Sequence, residues 1–505
     1  MNVDLRVLHY LSGGRRADCV HVPLRARLAC FFTGAALALW CSGTMAADSH
    51  LNYLDPLNTL PPILASGVTL PGDKSPVLCP VQKDFSQALF LAEAVDLALC
   101  NNPQLRASWA NIKYQTGQLG EARAAYLPTL SVSATEQHNR TNYPGELFYP
   151  DTLQIGKSYS GALNMRLFDF GGRDANLKSA NSLLVSSIAS HNATIQKALV
   201  DVIQNYFDAQ TAKGAWQAKK ESEDLSRLTL STANRKAEHG AASHSDVLQA
   251  NAAFAKASLD TNRALGDYRR ALATLVYALG VPAQTSLLLA DDEHDQVKLE
   301  VHDLDEWLER TTESHPAILA ARAKWESSQQ KIVSTRSDGL PSLDFFYNYY
   351  QNGYPNQGLN AVNSHEFIYG VTLNIPIFEG FARNYKIREA EAQAEQAEAQ
   401  LHDTEHNILA EVVKAHADAL SSLDNLASSE TLLDAATESV EASTRRYDKG
   451  AADIIELLTT QAALADANQQ RIRCIAEWRS ARLRLLANAG FMGREMLVTS
   501  GDSSK

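Results

Sequence analysis

Glycine and proline are scarce in this 505-residue chain, at 26 and 16 residues. A fold of many short elements joined by tight turns is disfavoured by that scarcity. Long helices are favoured instead, because Ala, Leu, Gln and Glu crowd the sequence from Asn176 onward. Positive charge is also short: the formal net charge is −12, with no basic stripe interleaved with aromatics, which argues against a nucleic-acid partner. Catalytic signatures are missing, with no P-loop, no GxSxG and no HExxH. His239 and His244 stand five apart across a turn, a spacing that suits solvent better than a metal. The reading is therefore of a non-enzyme without cofactor or metal site. Beyond the N-terminal region no run of 18 apolar residues occurs, so any contact with a membrane is not made by helices.

Residues 25–47, RARLACFFTGAALALWCSGTMAA, read as a secretory signal. Arg25 and Arg27 precede an apolar run from Leu28 to Trp40, and small residues around Thr44 and Ala46 offer cleavage before Ala47. The run is about a dozen residues, short of the roughly 20 that span a bilayer. Trp40 before Cys41 speaks against a lipid-attachment site. The expected order opens with a signal peptide (1–46) and an extended lead-in (47–87). Processing leaves Cys79, Cys100 and Cys474 of the six cysteines. In an oxidising compartment Cys79 and Cys100 can close a loop of about 20 residues, worth about 3 kcal/mol in the chain-entropy model. Three unpaired thiols are the alternative.

The remainder is one unit written twice. LCNNPQL (99–105) matches ESHPAIL (313–319) with Pro103 against Pro316, and LPTL (127–130) matches LPSL (340–343) with Pro128 against Pro341, both prolines displaced by 213 positions. RLFDFGGR (166–173) aligns with PIFEGFAR (376–383), RKAEHG (235–240) with RRYDKG (445–450), and Gly280 with Gly490, all displaced by 210. Landmarks at constant offset over about 190 residues indicate an internal duplication. The first repeat is expected at 88–280, with a helix, a β-hairpin (129–169), a long helix (172–239) and a return helix (243–280). A linker (281–303) leads to the second repeat at 304–490, with a helix, a hairpin (342–378), a long helix (381–449) and a return helix (453–489). A flexible tail (491–505) follows.

The hairpins declare themselves by period two. In SLDFFYNYY, Leu343, Phe345, Tyr347 and Tyr349 alternate with polar residues. In EFIYGVTLNIPIF, Phe367, Tyr369, Val371, Leu373 and Ile375 do the same. The long segments contain no Pro, and a helix of such length rises about 100 Å. The return helix and the helix after the Asn-Pro or His-Pro step nearly equal it end to end. Gly240 and Gly450 are then turns at one end of a helical column, with the hairpins at the other. Four strands leave open edges. An exported chain with an apolar sheet face and no helical anchor fits a transmembrane β-barrel, which has at least 8 strands and so must be shared among chains. A soluble sandwich capping a stalk is the competing architecture, and an exported trimeric coiled-coil adhesin or structural protein is the competing function.

This arrangement resembles the TolC family of outer-membrane efflux and type I secretion proteins, over about residues 88–490. The resemblance rests on the duplicated order of elements together with the Asn-Pro and Leu-Pro steps, FDFGGR/FEGFAR and the glycine turns. It implies an α+β membrane protein: a homotrimer whose 12-stranded transmembrane β-barrel, four strands per chain, sits in outer-membrane lipid and continues as a helical tunnel across the periplasm. It also implies a passive conduit for type I protein secretion or multidrug efflux. Its partners would be a periplasmic adaptor (membrane fusion) protein and an inner-membrane ABC or RND-type transporter. In the family the tunnel closes near the glycine turns. Tyr447 matches a tyrosine that contacts an aspartate, here Asp246, and Glu456 matches a constriction acid. Ala452 stands where an arginine often reinforces closure, and Thr459 where a second acid is usual. This departure implies a looser latch.

Overall fold

The computed structural model describes residues 55–66, 79, 85, 87–142, 144–145, 152–290, 303–351 and 364–492. The expected signal peptide, most of the lead-in, the linker from 291 to 302 and the tail from 493 lie outside the described residues.

Each repeat opens on a short helix, α1 (Leu91–Asn101) or, in the second copy, α5 (Leu304–Ser314). A longer helix follows, α2 (Pro103–Ala124) or α6 (Pro316–Ser337). The proline explains the break. It sits at the first helical position, where its missing N–H is no loss, and it keeps the preceding residue extended. That preceding residue caps the new helix. Asn102 Oδ1 accepts from the Gln104 amide at 2.8 Å, and His315 Nδ1 accepts from the Ala317 amide at 3.2 Å.

Strands β2 (Thr129–Thr141) and β3 (Thr152–Phe168) form the first hairpin, and β5 (Ser342–Gln351) and β6 (His365–Asn374) the second. All pair antiparallel in the order β2-β3-β5-β6, so the two repeats join through β3 and β5. The register pairs Leu163 with Tyr347 and, at the other end, Tyr159 with Gln351. A bulge between Arg166 and Phe168 marks where β3 leaves the sheet. Two further strands, β1 (Ala88–Leu89) and β4 (Leu288–Leu289), form a short parallel pair.

Immediately after each hairpin a 67-residue helix begins, α3 (Gly172–Glu238) or α7 (Ala382–Asp448). The strand-to-helix corner uses left-handed residues, Phe170 and Gly171 in one copy and Gly380 and Phe381 in the other. In the first copy Arg173 holds the corner. Its guanidinium pairs with Asp169 at 3.0 Å, donates to the carbonyls of Arg166 and Leu167, and lies over the Tyr126 ring.

The long helices end in matching caps. Gly240 and Gly450 both have φ of 71°, the Ala241 amide donates to the Lys236 carbonyl, and the Ala451 amide donates to that of Arg446, both at 2.8 Å. A left-handed glycine followed by this long-range bond is how a helix stops and reverses. The return helices are α4 (His244–Ala278) and α8 (Ile454–Asn488), 35 residues each. They end at Gly280 and Gly490, against the caps of α2 and α6. A Cβ at Gly280 would lie 2.8 Å from the Asn101 carbonyl oxygen, and one at Gly490 would lie 3.1 Å from Pro316. Return helix and short helix thus follow one another along a single track beside the long helix.

The main core sits where these pieces meet. Leu199, Ile203 and Tyr206 of α3 pack with Leu89, Val95, Leu275 and Leu279, and with Val412 and Leu485 from the second repeat. The Tyr206 hydroxyl donates to the Leu89 carbonyl, and Gln210 and Lys213 donate to those of Ala290 and Leu289. A disulfide joins Cys79 to Cys100 at the end of α1, and Cys474 is a free thiol.

Candidate functional site: the lipid-facing sheet and the tip turns

Two regions combine exposure or orphaned polar groups with recognisable chemistry. The first is the four-stranded sheet. Alternation puts Leu130, Val132, Tyr369, Val371 and Leu373 on one face together with Tyr347 and Phe367. Leu130, Val132 and Tyr369 are each more than 70% exposed. Large side chains in that state across a whole face are not facing water in the working molecule. Tyr347 stacks on Tyr369, and Tyr349 packs on Phe367. The other face is polar. Ser133 and Ser160 share a hydrogen bond of 2.7 Å, and Arg166 pairs with Asp344 at 2.9 Å. Among the described residues, the end strands β2 and β6 each have an unpaired edge.

The second region is the pair of tip turns. The sequence there is locally self-satisfying. Ser243 caps α4 in a capping box: its Oγ accepts from the Asp246 amide, and Asp246 Oδ2 accepts from the Ser243 amide at 3.1 Å. Asp453 caps α8, accepting from the Glu456 amide at 2.8 Å. Asp246 and Glu456 are therefore equivalent positions of the duplication, each in the first turn of a return helix where the helix dipole favours an acid.

Their carboxylates are engaged differently. Asp246 folds back on Ser243, whose hydroxyl also donates to it at 2.8 Å. Glu456 is ion-paired with Arg446 at 2.6 Å, and Arg446 also donates to the Ala451 carbonyl. Tyr447 is buried against Ile454, Leu457 and Leu458. Its hydroxyl has no hydrogen-bond partner among the described residues, so within one chain Tyr447 is not bonded to Asp246. Burial raises the Tyr447 pKa above the ordinary phenol value, and the nearby charges of Asp246 and Asp448 raise it further.

Two basic residues missed in the sequence complete the site. Lys236 donates to the Tyr447 carbonyl at 2.5 Å and lies 3.8 Å from the centre of its ring. Arg446 occupies the equivalent place in the second repeat. The signal was there, since both fall four residues before the glycine, but a basic residue in a last helical turn is too common to single out. Above the turns, Gln461 donates to Thr229 across the two repeats at 3.0 Å, a buried contact.

The chain is similar to several known proteins. The chain is 33% identical over 486 residues to "Protein CyaE" of Bordetella pertussis, covering 93% of this chain and 97% of that one. It is 24% identical over 422 residues to the "Alkaline protease secretion protein AprF" of Pseudomonas aeruginosa, covering 80% and 85%. Its fold matches the crystal structure of the outer membrane protein VceC from Vibrio cholerae with a TM-score of 0.69 at 18% identity, over 80% of this chain and 97% of that one. The family described as "Outer membrane efflux protein" matches residues 94–281 and 307–490, one stretch in each repeat. The chain belongs to this TolC-type family and is an outer-membrane channel protein whose long helices build the periplasmic tunnel.

Proposed function

We propose that three copies of this chain close a 12-stranded barrel and act as the outer-membrane conduit of a type I secretion route, gated at the tip turns. The observation that carries the assembly is the sheet. Four strands with an apolar outer face and two open edges cannot stand alone in lipid, where every backbone group needs a partner. Edge β6 of one copy pairing with edge β2 of the next satisfies both. The secretion reading is supported by the similarity to AprF, whose name states protease secretion. A periplasmic adaptor and an inner-membrane transporter supply cargo and energy. In this reading the disulfide fastens Cys79 to the end of α1.

The face of α3 opposite the Tyr206 packing carries Gln204, Asp208 and Thr211. These line a groove of about 520 Å³ with Asp418, Arg473 and Arg484. Closure falls to the tip, where Gly240 and Gly450 turn the helices and Asp246, Tyr447 and Glu456 stand together. Three copies would bring three Glu456 carboxylates round one axis, a ring that favours multivalent cations.

Single-channel recording of the mature protein in a planar bilayer tests this. Stable conductance steps are expected, blocked by a trivalent cation from the tip side and much less so in Glu456→Ala. An absence of steps from folded, detergent-extracted protein would overturn the channel reading. Steps that the cation blocks equally in both proteins would remove Glu456 from the constriction.

A further inference from the structure

The duplication gives each tip turn the same instruments, and the chain uses them unequally. Lys236 and Arg446 are equivalent basic residues at the ends of α3 and α7, and Asp246 and Glu456 are equivalent acids at the starts of α4 and α8. In the second repeat they pair with each other: Arg446 reaches Glu456 at 2.6 Å and staples its own turn. In the first repeat the acid is committed elsewhere. Both Asp246 oxygens are bonded to Ser243. Lys236 is thereby released from its own turn and crosses to the other repeat.

There it meets a buried aromatic residue in two ways. Its ammonium donates to the Tyr447 carbonyl, which also accepts from the Gly450 amide at 3.1 Å, and it sits over the ring face as well. A cation on an aromatic face gains more when the site is shielded from water. Tyr447 is 5% exposed. The hydrogen bond fixes where along the helix the cation sits, and the ring fixes from which side.

We infer that Lys236 is a positioning residue of the gate: it ties the end of the first-repeat long helix to Tyr447 and holds the two tip turns together within each chain. This rests on the reading of the tip as the gate, and it supplies a latch for a chain that has Ala452 where an arginine is usual. The chemistry also explains why Ser243 and Asp246 matter at a distance. Their capping box removes the acid that would otherwise draw Lys236 back.

The test is single-channel conductance of Lys236→Met and Lys236→Arg beside the parent protein. Lys236→Met keeps the aliphatic stem and removes the charge and its donor hydrogens. It is expected to raise mean conductance several-fold with an unchanged melting temperature, and Lys236→Arg to restore most of the closed behaviour. A further pair places cysteines at Thr229 and Gln461, in a background with Cys474→Ser, and joins them with a short bifunctional thiol reagent. Cross-linking that lowers conductance while Lys236→Met leaves it at the parent level would keep the gate and overturn the latch. Cross-linking without effect on conductance would overturn the gate reading itself. Lys236→Met with raised conductance and no rescue by arginine would also overturn the latch as described here.

Discussion

His315 and Asn102 do the same work in the two repeats, each accepting a backbone N–H at the start of a helix that begins with proline. They differ in how they respond to acid. Burial lowers the His315 pKa from 6.5 to about 4, and the same cause lowers that of His191, whose Nδ1 is paired with the Ser108 hydroxyl at 2.7 Å. The folded state holds both rings neutral, while the unfolded chain protonates them near 6.5. Their contribution to stability is therefore complete above about pH 6.5 and lost progressively as pH falls towards 4. Thermal unfolding is expected to occur at lower temperature at pH 4.5 than at pH 7. In His315→Asn, which copies the first-repeat cap, part of that difference should vanish. An unchanged pH dependence in this variant would show that the ring at 315 does not contribute. The asymmetry between Lys236 and Arg446 belongs to this scale too, since one neighbour, Ser243, decides which partner a lysine takes.

At the scale of elements, the glycines that end the helices separate into two kinds. Gly240 and Gly280 have nearly the same backbone, φ 71° and 67°. A Cβ at Gly240 would meet nothing within 4 Å, whereas one at Gly280 would strike the Asn101 carbonyl. Gly240→Ala should therefore cost only the left-handed strain, roughly 1–2 kcal/mol. Gly280→Ala should cost more, because the return helix must retreat from the α2 cap. Chemical unfolding of the two variants compares them directly. Equal losses would mean that the junction between α4 and α2 gives way freely. The breaks themselves were legible in sequence, because the absence of proline inside α3 and α7 and the glycine after them are local signals. The packing behind them was not. Nothing in the spacing of Tyr206 or Gln210 reveals that they hold the carbonyls of Leu89 and Ala290, which only meet them through the fold.

At the scale of the whole molecule, the two faces of the sheet make opposite predictions. Val371 lies on the apolar face, where a charge would sit in hydrocarbon at a cost of about 2–4 kcal/mol near the midplane. Ser131 lies on the other face. Val371→Lys is expected to deplete the protein from the outer-membrane fraction, and Ser131→Lys to leave it there with altered conductance. Fractionation followed by immunoblotting distinguishes them, and equal recovery of both variants would contradict the assignment of faces.

Periodicity, helix breakers and repeated landmarks are properties of neighbouring residues along the chain. They were enough to establish the duplication, the alternation of the strands, the long helices and their glycine turns, and from these the TolC-type fold. Tertiary structure decided what depends on residues far apart in sequence. It set the joining of the repeats through β3 and β5, the bond from Cys79 to Cys100, and the pairing of Arg446 with Glu456 while Lys236 turns to Tyr447. The physical reason is that a charged side chain takes whichever partner the packed helices leave within reach. Two equivalent positions of one repeat can therefore end in different bonds.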